Sequence, residues 1–197
     1  MSGAAVRHVS HDAPGWFGKI PNLGDFASRR LSDEFIRRWD GWLQESLAHS
    51  RSELGRAWHD AYLVAPIRRF WVGPDLLDRQ SWAGLLMPSM DRVGRYFPLT
   101  LAQPCPSLAG ALAARVWFAA LDDAARRVLN VAYSADELEA YLRTLAALDT
   151  GQPDAADEQL ARTLLQRCAS PRSCSVWWCR PAGGADERIG YLCFAGM

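Results

Sequence analysis

Apolar residues recur along this chain at two different spacings, and the switches between them mark out its elements. After Ser32 the spacing is helical. Leu31, Phe35, Trp39, Trp42, Leu43 and Leu47 fall on one stripe, which predicts a helix that packs against a sheet or a partner helix. Ser32 stands where a side chain caps the first free amides, and Asp33 and Glu34 where the helix dipole favours negative charge. Gly41, inside this stretch, costs about 1 kcal/mol against alanine, and so points to close packing or a bend there. Ser50-Arg51-Ser52-Glu53 has the form of a capping box. It predicts a second helix carrying Leu54, Trp58, Ala61 and Tyr62, stopping before Pro66.

Elsewhere the spacing and the residue types are those of strands. Gly15–Pro21 reads as a short strand stopped by proline, followed by the turn residues Asn22, Gly24 and Asp25. Ile67–Val72, bounded by Pro66 and Gly73-Pro74, is followed by extended segments at 82–88 and 96–102. Their short connections predict antiparallel pairing. Ser107 then caps a helical stretch, 108–129, with Leu108, Leu112, Val116, Ala119 and Leu129 offered for burial. A capping box at Ser134–Glu137 opens another helix, with Leu138, Tyr141, Leu142, Leu145 and Leu148 on its stripe. A linker at 149–154, a short helix at 155–168 and a terminal hairpin of 175–179 with 188–194, turning through 181–187, complete the pattern. Residues 1–13 are small and polar and read as a flexible tail. The expected fold is α+β: one domain over 14–197, with a mostly antiparallel sheet of about five or six strands and α-helices packed on its faces. Its core is expected where the two aromatic helices meet the 66–102 sheet.

Composition narrows the function classes. Among 197 residues, Lys plus Arg and Asp plus Glu number 22 each, so no global field draws the chain to nucleic acid or an anionic membrane. No stretch approaches the ~18 apolar residues of a spanning helix, and the first residues carry no apolar targeting core; a soluble, cytoplasmic protein is expected. The five cysteines, 105, 168, 174, 179 and 193, are odd in number and form no CxxC pair. They predict reduced, buried thiols and neither metal nor cofactor. Gly18-Lys19 is no phosphate loop, because Ile20 follows where Ser or Thr is needed and Ala13 replaces the first glycine of the motif.

The central stretch, Gly84 to Leu101, reads as strand, loop, strand, and its loop is the most heavily decorated in the chain. Asp91 and Arg95 lie four apart across Gly94 and are expected to pair. With Lys19, Asn22, Gly24 and Asp25 in the earlier loop, and Ser89 and Arg92 in this one, they form the candidate partner-binding or loop-organising set. No residue is assigned to catalysis. The alternative is a hydrolase using Ser89 as nucleophile with Asp91, and His59 as base. It lacks the Gly-x-Ser-x-Gly turn, and Ser89 also suits a backbone-bonding role at a strand end. His59 and Asp60 are adjacent on a helix and are expected to point apart. Arg68, Arg69, Arg92 and Arg95 flank aromatics in a way that would suit base stacking, but alternation along a half-exposed strand explains Arg68 and Arg69 equally.

The motifs LLMPSMDRVGRYFPLTL and, at 15–26, GWFGKIPNLGDF, with APIRRFWVG between them, resemble the TagF family of type VI secretion-associated proteins. The likeness covers residues 14–104 and thins beyond them to Trp177-Trp178 in a late strand. It implies a non-enzymatic accessory protein that represses assembly or firing of the secretion apparatus after translation. The partner it implies is a forkhead-associated scaffold protein among the components of that apparatus.

Overall fold

The computed structural model describes residues 12–145 and 152–179, and the backbone of 191–195. The expected tail is thus outside the described residues but for its last two positions. The hairpin turn at 181–187 and much of the 149–154 linker also lie outside them.

The fold is α+β, built on one antiparallel sheet of seven strands. In chain order these are β1 (Gly15–Gly18), β2 (Ala27–Arg29), β3 (Arg68–Val72), β4 (Trp82–Met87), β5 (Leu99–Pro104), β6 (Cys174–Cys179) and β7 (Tyr191–Ala195). Their spatial order is β2-β1-β5-β4-β3-β6-β7. The expected antiparallel run β3, β4, β5 is present, with Phe70 opposite Gly84 and Leu85 opposite Leu101. Gly84 leaves room for its neighbours: a Cβ there would stand 2.2 Å from the Leu101 carbonyl and 2.8 Å from the Phe70 ring. The strand that the sequence did not announce is β2, only three residues long and beyond the turn that follows β1.

Both faces of the sheet are covered, so alternate residues of each strand enter two separate cores. On one face Phe17, Phe70, Val72, Trp82 and Trp177 meet the helix α1 (Asp33–Leu54) through Phe35, Trp39 and Leu43. Trp39 is fully buried and stacks 4.8 Å from Phe70 and 6.0 Å from Trp177. On the other face Trp16, Trp71, Leu85, Leu101 and Trp178 join a larger cluster. It is completed by α3 (Leu108–Ala113), α4 (Arg115–Arg127), α5 (Ala135–Thr144) and α6 (Ala155–Leu165).

Ser32 caps α1, accepting from the Phe35 amide at 3.1 Å, and Ser134 with Glu137 forms the capping box that opens α5. Ser50 does not cap a second helix: α1 runs through it to Leu54, and its hydroxyl donates to the Leu47 carbonyl and accepts from Trp58. A Ser already inside a helix returns its hydroxyl to the preceding turn, so the box pattern has no free amides to serve. The second helix, α2 (Trp58–Leu63), is therefore short, and the larger core lies on the opposite face from the two aromatic helices. Gly41 has open space around it, not a close neighbour. The expected 108–129 helix is interrupted at Ala114, whose ψ of 43° ends α3 and restarts the chain as α4. The break shifts the buried stripe to Trp117, Phe118 and Leu121, leaving Val116, Ala119 and Leu129 exposed.

The cysteines depart from expectation. Cys168 and Cys174 are joined as a disulfide, because the turn at Pro171–Ser173 brings their Cα atoms to 5.9 Å. Cys105, buried, and Cys179 are free thiols, and burial pushes the Cys105 thiol up to about 12. No helix among the described residues is long and apolar enough to cross a membrane.

Candidate functional site

The two loops singled out by the sequence lie against each other at one end of the sheet. β1 leaves the sheet through Gly18, whose φ of 135° is closed to other residues and whose position 2.1 Å (as a built Cβ) from the Pro98 carbonyl leaves no room for a side chain. The next residue, Lys19, is thereby carried under the second loop. Its ammonium stands 3.0 Å from Asp91 Oδ2 and 4.8 Å from the centre of the Phe26 ring.

Asp91 organises the second loop. Oδ1 accepts from the amides of Val93 at 3.1 Å and Arg95 at 2.9 Å. Oδ2 accepts from Arg95 Nε at 2.6 Å as well as from Lys19. The expected Asp91–Arg95 pair is thus present, and Gly94 closes the turn with φ of 81° and its amide on the Asp91 carbonyl. Burial alone pushes the Asp91 carboxyl up. The Arg95 amide, the Lys19 ammonium and the Arg95 guanidinium outweigh it and hold the group well below the usual carboxylate range. With both oxygens doubly bonded to donors, the carboxylate is committed to shaping the loop.

Other bonds tie the loops together. Arg95 Nη2 donates to the Gly24 carbonyl at 2.6 Å, and the Arg92 amide to the Leu23 carbonyl at 2.9 Å. Ser89 is 3% exposed and its hydroxyl donates to the Lys19 carbonyl at 2.7 Å. Asn22 Nδ2 reaches the Val131 carbonyl in the α4–α5 connection at 3.0 Å, while Asp25 receives the Phe26 amide. The nine candidate residues therefore divide. Lys19, Ser89 and Asp91 are buried inside the lock, Asn22 is half-buried, and Gly24, Asp25, Arg92, Gly94 and Arg95 form an exposed rim.

The hydrolase arrangement is not assembled. His59 Nε2 lies 2.6 Å from the Tyr96 hydroxyl, and neither it nor Asp91 contacts the Ser89 hydroxyl. His59 and Asp60 do meet, at 3.3 Å, contrary to the expectation from their adjacent positions; both side chains are exposed and free to swing together. Arg69 is committed too, 3.0 Å from Asp122 on α4 and over the Phe118 ring. Among the described residues no cluster of His, Cys, Asp and Glu is arranged for a metal ion.

One organiser escaped the sequence reading. Tyr62 carried only the expectation of burial, yet its hydroxyl donates to the Ser89 carbonyl at 2.9 Å and accepts from the Ser89 amide at 3.0 Å. Burial pushes its phenol up to about 12, so it remains a donor at any ordinary pH. A tyrosine on an apolar helical stripe carries no signal of where its hydroxyl ends; a buried phenol needs a partner, and that is the only hint available.

Among curated proteins none matches the chain. Of solved structures, the crystal structure of PA0076 from Pseudomonas aeruginosa PAO1 is similar over 94% of this chain and 89% of that one, with 32% identity and a TM-score of 0.77. The family model described as the TagF N-terminal domain, type VI secretion system-associated, matches residues 15–145 and so takes in β1 to α5, both loops included. By that match the chain belongs to the TagF family of type VI secretion-associated proteins.

Proposed function

We propose that this protein regulates the type VI secretion apparatus by direct protein–protein contact from the cytoplasm, restraining assembly or firing without chemistry of its own. Its partner on this reading is a forkhead-associated scaffold protein of that apparatus. The recognition surface is the rim of Gly24, Asp25, Arg92, Gly94 and Arg95, held in shape by Lys19, Ser89 and Asp91. The observation that carries the reading is the saturation of Asp91, whose two oxygens take four donors and so hold two exposed loops in one fixed relation. Loops held rigidly on a sheet bind with little ordering cost.

The test is capture of the purified scaffold protein by this chain and its variants. Arg92→Ala alters an exposed side chain and should weaken capture roughly tenfold while leaving the melting temperature unchanged. Asp91→Asn should weaken it through the shape of both loops. Undiminished capture by the Arg92→Ala, Arg95→Ala double variant would remove the rim from the interface and defeat the proposal.

A further inference from the structure

Half of the large apolar side chains exposed among the described residues gather in one place. Of eight large apolar residues exposed among those described, four line a single cavity of about 430 Å³: Leu63, Val64, Leu129 and Val131. Val64 is 80% exposed and Val131 68%. The cavity opens where α2 leads into β3, beside the end of β4, and Pro21, Ser89 and Met90 make it a neighbour of the locked loops. A second cavity of about 300 Å³ shares Tyr62, Ala65, Pro66 and Pro88 with the first. It continues the trough along α1, past Trp42 and Leu47, to Pro98.

Two features describe the occupant. The first is charge. Each cavity has one charged residue in its wall, Arg126 in the first and Arg68 in the second, and neither wall contains a carboxylate. Neither arginine forms an ion pair among the described residues. Asp60, one turn before Val64 on α2, lies outside both walls and faces His59. An apolar trough whose walls hold two cations and no anion among the described residues favours an apolar partner that carries carboxylates. The second is the backbone. Pro21, Pro66, Pro88 and Pro98 stand along the trough, at the ends of β1, β3, β4 and β5. All four strands are interior to the sheet, each paired on both sides, so the trough offers no free edge to an added strand. Recognition must run through side chains, as it does when an amphipathic helix enters a groove.

We propose that this double trough is a docking site for an amphipathic, acidic α-helix of another protein. Apolar side chains one and two turns apart on the helix fill the two cavities, and carboxylates on its flanks meet Arg126 and Arg68. The site adjoins the loop rim but is separate from it, and the inference does not rest on the identity of any scaffold partner.

The probe is a fluorescein-labelled synthetic 18-residue helix, about 27 Å long, with leucines on one face and glutamates on its flanks. A twin carries lysine for each glutamate. Fluorescence anisotropy with the full chain should give an affinity for the acidic peptide about tenfold tighter than for the basic one. Val64→Asp and Leu129→Asp, both at exposed positions, should each weaken binding by roughly tenfold with unaltered circular dichroism and melting. The Arg68→Glu, Arg126→Glu variant should invert the preference toward the basic peptide. Equal affinity for the two peptides, binding of neither, or full binding by Val64→Asp would overturn the proposal. So would self-association in sedimentation that Val64→Asp abolishes, which would assign the trough to a second copy. Vesicles containing phosphatidylglycerol that are bound by the parent and not by Val64→Asp would assign it to a membrane surface, and would overturn it equally. None of these readouts uses the scaffold protein, so failure of the rim variants in capture and failure here are separate results.

Discussion

The hydrogen bond from Trp39 to Thr100 is a buried polar link in a largely apolar contact between α1 and the middle of the sheet, and its loss can be worked through quantitatively. The indole N–H donates to the threonine hydroxyl at 2.7 Å, and both residues are fully buried. Thr100→Val keeps the shape and removes the acceptor, stranding a donor at a cost of about 1–3 kcal/mol. Trp39→Phe strands the hydroxyl instead, at a similar cost of about 1–3 kcal/mol, and adds a partial cavity where the ring met Phe70 and Trp177. Trp39→Ala empties the whole site and should cost about 3–5 kcal/mol. The double variant, Trp39→Phe with Thr100→Val, strands nothing. It should be more stable than the sum of the two singles by about 1–2 kcal/mol, the coupling expected of residues in contact. Urea unfolding followed by far-UV circular dichroism is the assay, because nine tryptophans make fluorescence a composite. The slope must stay constant across the four proteins for the comparison to hold. Additivity of the two single changes to within about 0.5 kcal/mol would refute the reasoning.

Two glycines should respond oppositely to the same change. Gly41→Ala, in open space on α1, should add about 0.5–1 kcal/mol, whereas Gly18→Ala meets the Pro98 carbonyl at a positive φ and should cost at least about 1–3 kcal/mol; equal responses in unfolding would contradict both assignments. The carboxyl of Asp91 is depressed in the folded state, so its contribution is complete above the unfolded value near 3.9 and disappears as pH falls through the folded one. The stability gap between the parent and Asp91→Asn should therefore shrink as pH is lowered from about 5 toward 2, and a gap that stayed constant there would separate the charge from the stability of the loop.

What was legible depended on the distance over which the cause acts. The caps at Ser32 and Ser134 and the stripe of Phe35, Trp39 and Leu43 are written within one or two helical turns, and they were recovered. So was the Asp91–Arg95 pair, since both ends lie in one short connection. Lys19 was marked by its loop but its partner Asp91 lies in the loop between β4 and β5, and only the pairing of β1 with β5 beside β4 brings them together. Ser50 misled because a capping box is a local pattern, while α1 continues through it and leaves its amides already bonded to the preceding turn. Ala114 gave no warning, for alanine is the best helix former. The Cys168–Cys174 bridge depended on a turn that spacing alone does not reveal. The arginines of the trough are conspicuous only once the absence of carboxylates around them is known.

Arg30 governs how the sheet ends on one side. It has a φ of 57°, in the left-handed region that a residue with a Cβ rarely enters, so the chain turns away immediately after β2. Its guanidinium holds that turn, donating to the Pro14 carbonyl at 2.6 Å and pairing with Glu139 on α5. A three-residue border strand ending in such a bend exposes very little free ladder to a neighbour. This margin of the sheet is consequently protected against amyloid-like stacking and runaway polymerisation, a safeguard of value to any protein held at high local concentration around a large assembly.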